Sequence, residues 1–316
     1  MAFSLLVGSG WRTRVDEVWH SFPGIVPVVK GNGYGFGRPG LVRLATNMGA
    51  DEIAVGTVHE LADIAVGGPT PIVLTPAVAT ETAGLRPDAV LTVGSMSDVE
   101  ALAGTTARVI VKIASSMRRY GVAPAEAAAL ATAAQQQGLT IHGYAIHLPL
   151  KRASSDNATE ATELLTVVPD GSVAYISHVT ADEQTTLSQQ YPKLRLRTRV
   201  GTSLWLGDKD HLKLVADVVL ARPIAEGDVA GYRSWAVDYP GHLMMVTAGT
   251  AHGVQALPDG RSPFHFSRSR LPLHEPPHMH TSMLFVSSGH PRPVVGDQVE
   301  VQQPLSRVWP DQVRFL

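Results

Sequence analysis

Ile25-Val26-Pro27-Val28-Val29-Lys30 is a continuous apolar, mostly β-branched run that ends on a lysine and passes into the glycine-rich stretch Gly31-Asn32-Gly33-Tyr34-Gly35-Phe36-Gly37. An unbroken apolar run bounded by glycine reads as a strand buried on both faces. Similar runs recur at even spacing at Glu52–Gly56, Pro71–Thr75, Ala89–Val93, Arg108–Ile113, Thr140–His147, Val173–Val179 and Leu194–Arg199, which makes eight candidate strands. Between them lie helical patterns at Leu41–Met48, Val58–Ala65, Ser97–Ala103, Pro124–Gln137, Asn157–Val167 and Asp182–Gln190, each with one polar face and one Ala/Leu-rich face. Strand–helix alternation requires parallel strands joined by right-handed crossovers, and eight repeats over roughly 200 residues predict a (β/α)8 barrel of the TIM type. The fold class expected is therefore α/β.

After Gly207 helical periodicity fades, and short runs such as Leu212–Leu220, Leu243–Val246, Met283–Val286 and Gln298–Gln302 are separated by Pro, Gly and Asp turns. A small, mostly-β C-terminal domain is expected over residues 208–316, following a barrel over residues 1–207. Seven of the thirteen histidines fall between His242 and His290, inside this second domain.

Composition narrows the function classes. At 316 residues, 44% hydrophobic and 17% charged with a net charge of −2, the chain has neither a disordered character nor a basic nucleic-acid-binding surface. With no cysteine, thiolate nucleophiles, iron–sulfur clusters and cysteine-ligated zinc are excluded, so any metal must sit on His, Asp or Glu. No apolar run approaches the ~18 residues of a membrane span. No basic residues precede Ala2–Val7 to make it a signal peptide, and a cytoplasmic location is expected.

Lys30 is one of only six lysines, against twenty arginines. In a barrel the C-terminal strand ends form the active site, and a desolvated lysine there becomes a usable amine nucleophile, suited to Schiff-base chemistry. The alternative is a strand-end lysine whose ammonium reaches solvent. A Gly-x-Gly-x-x-Gly frame fits at Gly35–Gly40, but it begins past the strand end and has no acidic residue near Val55 to hold a ribose, so no dinucleotide site is read from it.

The segment Lys30-Gly31-Asn32-Gly33-Tyr34-Gly35-Phe36-Gly37 resembles the cofactor-lysine motif of alanine racemases. Val111-Lys112-Ile113-Ala114-Ser115-Ser116-Met117-Arg118-Arg119-Tyr120-Gly121, His142–His147, Ile176–Val179 and Arg199–Gly207 resemble later motifs of that family, in order. The resemblance implies pyridoxal 5'-phosphate held by Lys30, with Tyr34, Ser177, His178, Gly201 and Thr202 near its phosphate. It also implies His147 behind the pyridine ring, Arg199 facing the pyridine nitrogen, and Arg119 on the substrate carboxylate beside Lys112, a lysine often carbamylated in the family. An arginine opposite that nitrogen does not give up its proton, which weakens the ring as an electron sink. A small amino-acid substrate, a racemase-like isomerase and a head-to-tail homodimer are the further implications.

Two departures from the family pattern stand out. Its racemase tyrosine motif reads Gly249-Thr250-Ala251-His252-Gly253 here, which makes His252 the nearest acid–base substitute. Its Cys-Met-Asp motif reads His278-Met279-His280, which in a strand would turn both imidazoles to one face and suit a divalent metal such as zinc. A metal-assisted D-amino-acid lyase or dehydratase, or a pyridoxal-phosphate-binding protein without turnover, are the alternatives to an enzyme acting as a racemase.

Overall fold

The computed structural model describes residues 1–76, 85–150 and 154–316. The chain divides into two units. One holds Val15–Gly31 with Arg38–Gly207, and the other holds Met1–Arg14, Asn32–Gly37 and Asp208–Leu316.

The chain opens with β1 (Phe3–Val7) and α1 (Gly10–Ser21), neither of which is marked by the strand–helix pattern of the sequence. The first unit then carries eight parallel strands: β2 (Val26–Pro27), β3 (Glu52–Val55), β4 (Thr70–Pro76), β5 (Val90–Val93), β6 (Arg108–Ile113), β7 (Thr140–Ile146), β8 (Val173–Ile176) and β9 (Arg195–Val200). Each of the eight runs read from the sequence overlaps one of them. The sheet runs from β2 through β9 back to β3, and it closes where Val29 N–H donates to Ala54 O at 2.8 Å beside the parallel bridge of Val28 with Ala54. The result is the (β/α)8 barrel expected.

Helices return the chain between strands: α2 (Arg38–Asn47), α3 (Met96–Ala101), α4 (Ala127–Gln136), α5 (Ser154–Leu165), α6 (Ala181–Gln190) and the short α7 (Thr202–Trp205). The stretch read as a helix at Val58–Ala65 is instead a 3-10 segment, Val58–Asp63. Glu60 explains the difference, because its carboxylate turns back to accept N–H bonds from Gly31 at 2.9 Å and Gly56 at 2.6 Å.

Val26, Val28, Ala54, Ile72, Val90, Ile110, Ala145 and Tyr175 fill the barrel interior. Small and branched side chains from successive strands interdigitate there, so the barrel is a packed core and its chemistry belongs at the strand ends. The N-terminal end is sealed by buried Glu52, which accepts from Tyr175 Oη at 2.9 and 3.0 Å and lies 2.7 Å from both His142 Nε2 and Arg197 Nη1. Buried and paired charge of this kind fixes geometry at the closed end.

In the second unit β1 pairs antiparallel with β10 (Leu212–Ile224) and parallel with the last strand, Gln312–Phe315. The N-terminal strand thus belongs to the β sheet and not to the barrel. Strand β10 also pairs with Gly241–Val246 and Gln298–Val301, and Leu243 and Met283 pack with Ala230 in the apolar center of this unit. Among the described residues no helix is long and apolar enough to cross a membrane.

Candidate active site

Lys30 follows the main chain of β2 out of the barrel at its C-terminal end. Its position is fixed from three sides. Glu60 holds the N–H of Gly31, Arg38 donates to Gly31 O, and Trp205 Nε1 donates 2.8 Å to Val28 O two residues upstream. Partial desolvation, then the positive charges of Arg119 and Arg199, lower the Lys30 amine below its ordinary value of 10.5, and the Glu60 carboxylate opposes them. A lysine that sheds its proton more readily than usual is the group that attacks carbonyl carbon.

Three more cations converge on the same barrel end. Lys112, on β6, is 6% exposed and its Nζ has no hydrogen-bond partner among the described residues; burial, then Arg199 and Arg119, push its amine well down. Arg199, on β9, donates from Nη2 to Ile146 O at 2.6 Å and has a buried Nε–H with no acceptor among the described residues. Burial and Arg119 lower its guanidinium to about 10, so it stays charged at neutral pH. Arg119 lies in the loop after β6, which Ala114 and Val122 clamp at its base by an N–H bond of 2.8 Å.

His147 closes this group. Its Nδ1 is 2.6 Å from Ser177 Oγ, and its ring meets that of His178 edge-on at 5.0 Å. Burial, then Arg199 and Lys112, drive its conjugate acid down to about 2, which makes it a neutral imidazole at any working pH. His178 takes a left-handed backbone with φ of 60°, uncommon for a residue with a Cβ. Gly201 precedes α7, with its carbonyl taken by the N–H groups of Leu204 and Trp205, and Thr202 begins that helix. Lys30, Lys112, Arg119, His147, Ser177, His178, Arg199, Gly201 and Thr202 thus all lie in the barrel unit, at or beyond the C-terminal ends of its strands.

The other residues singled out by sequence lie in the second unit. Tyr34 is buried in a turn anchored by Asn32 Nδ2, which donates to Leu305 O at 2.8 Å and Val308 O at 2.6 Å. Thr250 and Ala251 donate their N–H groups to His278 O and Met279 O, both at 2.8 Å, which zips the two departing motifs together. His252 is buried, with Nδ1 accepting from Gly249 N–H at 3.1 Å and Nε2 3.2 Å from Asp311 Oδ1. Both ring nitrogens are therefore engaged in holding the turn.

The expectation that His278 and His280 share a strand face does not hold, because the strand starts only at Ser282. His278 Nε2 instead contacts buried Glu275 at 2.6 Å, while the His280 ring lies against His252 at 6.0 Å. Among the described residues no three His, Asp or Glu side chains are grouped to hold a metal ion.

Sequence reading missed two residues that shape the site. Glu60 pins the Lys30 turn, and Asn157 on α5 donates from Nδ2 to Pro149 O at 3.0 Å and His178 O at 2.9 Å, tying the loops after β7 and β8 together. A polar residue at a helix start was the only available signal for Asn157.

Comparison with known proteins bears on the fold and the family. The alanine racemase of Mycobacterium ulcerans is 25% identical over 261 residues, a match that covers 73% of this chain and 66%, just under two thirds, of that protein. The alanine racemase of Clostridium difficile superposes with a TM-score of 0.75 at 14% identity, covering all of this chain and 96% of the other. That of Bartonella henselae, solved with covalently bound pyridoxal phosphate, gives a TM-score of 0.71 at 18% identity over the full length of both chains. The sequence model described as alanine racemase, N-terminal domain, matches residues 12–180, more than half of the chain. The chain belongs to the alanine racemase N-terminal domain family.

Proposed function

We propose that the protein is a pyridoxal-phosphate-dependent, racemase-like enzyme acting at Cα of a small amino acid. The observation that carries this reading is the buried, partnerless pair Lys112 Nζ and Arg199 Nε beside a lysine of lowered proton affinity. A buried cationic donor without an acceptor costs free energy, and a cofactor whose ring nitrogen accepts from Arg199 and whose negative charge offsets both cations relieves that cost. The residues of the barrel unit fit pyridoxal phosphate: Lys30 for the covalent attachment, Arg199 for the ring nitrogen, and Ser177, His178, Gly201 and Thr202 for the phosphate. When bound, the cofactor supplies an electron sink for the pair left as the Cα–H bond breaks.

Lys30 Nζ, once free, takes the Cα proton on one face and returns it. Arg119 pairs with the α-carboxylate and fixes which bond faces Lys30. Arg199 remains protonated and so offers a hydrogen bond without transferring a proton. His147 stays neutral and adds no further charge. In the sequence motif that carries the family's tyrosine this chain has Thr250, and a hydroxyl of that kind is too weak an acid to serve near neutral pH. His252 is assigned to holding its turn. The expected behavior is therefore proton exchange at Cα with slow inversion of alanine, lower by ~10²–10⁴ than with a second base in position.

Solvent-deuterium exchange at Cα, followed by NMR across a panel of L- and D-amino acids, tests this. Exchange on at least one amino acid that disappears in Lys30→Ala supports the enzyme. Cofactor binding with no exchange on any of them favors the non-catalytic alternative, to which Thr250 also points. The metal-assisted alternative draws no support from the separate partners of His278 and His280.

A further inference from the structure

Over the ends of β4, β5 and β6 lies a cavity of about 580 Å³, lined by Thr75, Ser95, Asp98, Arg118, Arg119 and Tyr120 among others. That volume is in the range of small-molecule sites and far exceeds what the methyl group of alanine needs. We propose that this cavity is the side-chain subsite of the active site and accepts an amino acid with an anionic side chain, its distal carboxylate paired with Arg118. The inference rests on the amino-acid enzyme proposed above, and it names the substrate class.

Arg119 links the two sites, since it both lines the cavity and acts electrostatically on Lys30, Lys112 and Arg199. A substrate whose α-carboxylate meets Arg119 therefore has its side chain next to the cavity, one residue from Arg118. Among the described residues neither guanidinium forms an ion pair; the Arg119 guanidinium lies only over the Tyr120 ring, at 5.1 Å from its center. The one carboxylate in the lining, Asp98, is buried, accepts the Gly94 N–H at 2.7 Å and makes no ion pair with either arginine among the described residues. Arg118 also lines a second groove, together with the acidic side chains of Asp156, Glu160 and Glu163.

The backbone presents Arg118 deliberately. Its φ is 51°, a left-handed conformation that is unfavorable for a residue with a Cβ and that glycine or asparagine would adopt more easily. The loop is closed at its base by Ala114 N–H to Val122 O and Val122 N–H to Lys112 O, at 2.8 and 3.0 Å, so Arg118 is held on a short, anchored span. Gly121, with φ of 113°, permits that closure, and Gly94 permits its close approach, because a Cβ on Gly94 would stand 2.9 Å from Gly121 N. Two adjacent guanidiniums over a pocket are the arrangement that recognizes two carboxylates on one small molecule.

The test uses the cofactor-loaded protein. Changes in cofactor absorbance on titration with aspartate, glutamate, alanine, serine and lysine give relative affinities, and thermal shift with succinate against propionate reads the same subsite without turnover. The expected result is tighter binding of the acidic amino acids than of alanine by at least tenfold, a larger shift with succinate, and loss of that ratio in Arg118→Gln. In Arg118→Glu the preference should move toward lysine. Equal or tighter binding of alanine and serine in the unmodified protein, or an acidic preference untouched in both variants, overturns the subsite while leaving the amino-acid enzyme standing. No spectral response to any amino acid overturns the enzyme reading itself.

Discussion

At the scale of single residues, the site is organized by excess positive charge in a small volume. Arg199, Lys112 and Arg119 surround His147 and hold its conjugate acid down to about 2 after burial has done the larger part. This has a consequence for stability. The unfolded chain protonates that imidazole near its ordinary value of 6.5, whereas the folded chain does not, so His147 costs nothing above pH 6.5 and destabilizes progressively as pH falls toward 2. At pH 5 the effect amounts to roughly 2 kcal/mol. Urea unfolding of His147→Gln and the unmodified protein at pH 7.5 and pH 5 should show the unmodified protein losing more stability between the two. Equal losses would mean that His147 titrates normally in the folded state.

At the scale of elements, the loop after β6 carries both arginines and depends on one glycine. A Cβ on Gly121 would stand 2.7 Å from Ala114 N and from Lys112 O, in a φ of 113° that L-residues rarely adopt. Gly121→Ala is expected to lose at least ~1–3 kcal/mol of stability, more than Gly104→Ala, where φ is also positive but nothing lies within 4 Å of the added atom. Chemical denaturation of the two variants side by side checks this, and an equal cost would show that the loop can reopen without penalty.

The same scale explains which features could be read in advance. Lys30 was recognizable because it closes an apolar run, and Arg199 because it ends the eighth candidate strand, and a barrel turns strand ends into a site. Glu60 was hidden because it acts on the backbone of residues distant in sequence, and helix-like spacing in Val58–Asp63 masked its turn. His278 and His280 show the opposite error, since alternate spacing has meaning only inside a strand and their segment is irregular. Tyr34 follows Lys30 by four residues, yet the Asn32 bonds to Leu305 and Val308 anchor its turn in the other unit.

At the scale of the whole molecule, β1 shows how far local patterns fall short. Phe3–Val7 is an ordinary apolar strand, and only its pairing with Ala216–Leu212 in β10 reveals that the chain starts in the β unit, builds the barrel and returns. The homodimer implied by the family resemblance is a proposal about the working form, in which the β unit of one copy completes the barrel mouth of another. Light scattering of the cofactor-loaded protein is expected to give the mass of two chains, with activity falling on dilution as the pair dissociates. A monomer with undiminished activity would contradict it.

The central claim is that Lys30 is a cofactor-bearing lysine. The purified protein incubated with pyridoxal phosphate should absorb near ~420 nm, and borohydride should bleach that band and fix the cofactor irreversibly. Peptide mass mapping should then find the added mass on the peptide containing Lys30, and Lys30→Ala should show neither band nor label. A protein that stays colorless, or a label found on Lys112 with Lys30 unmodified, would contradict the account.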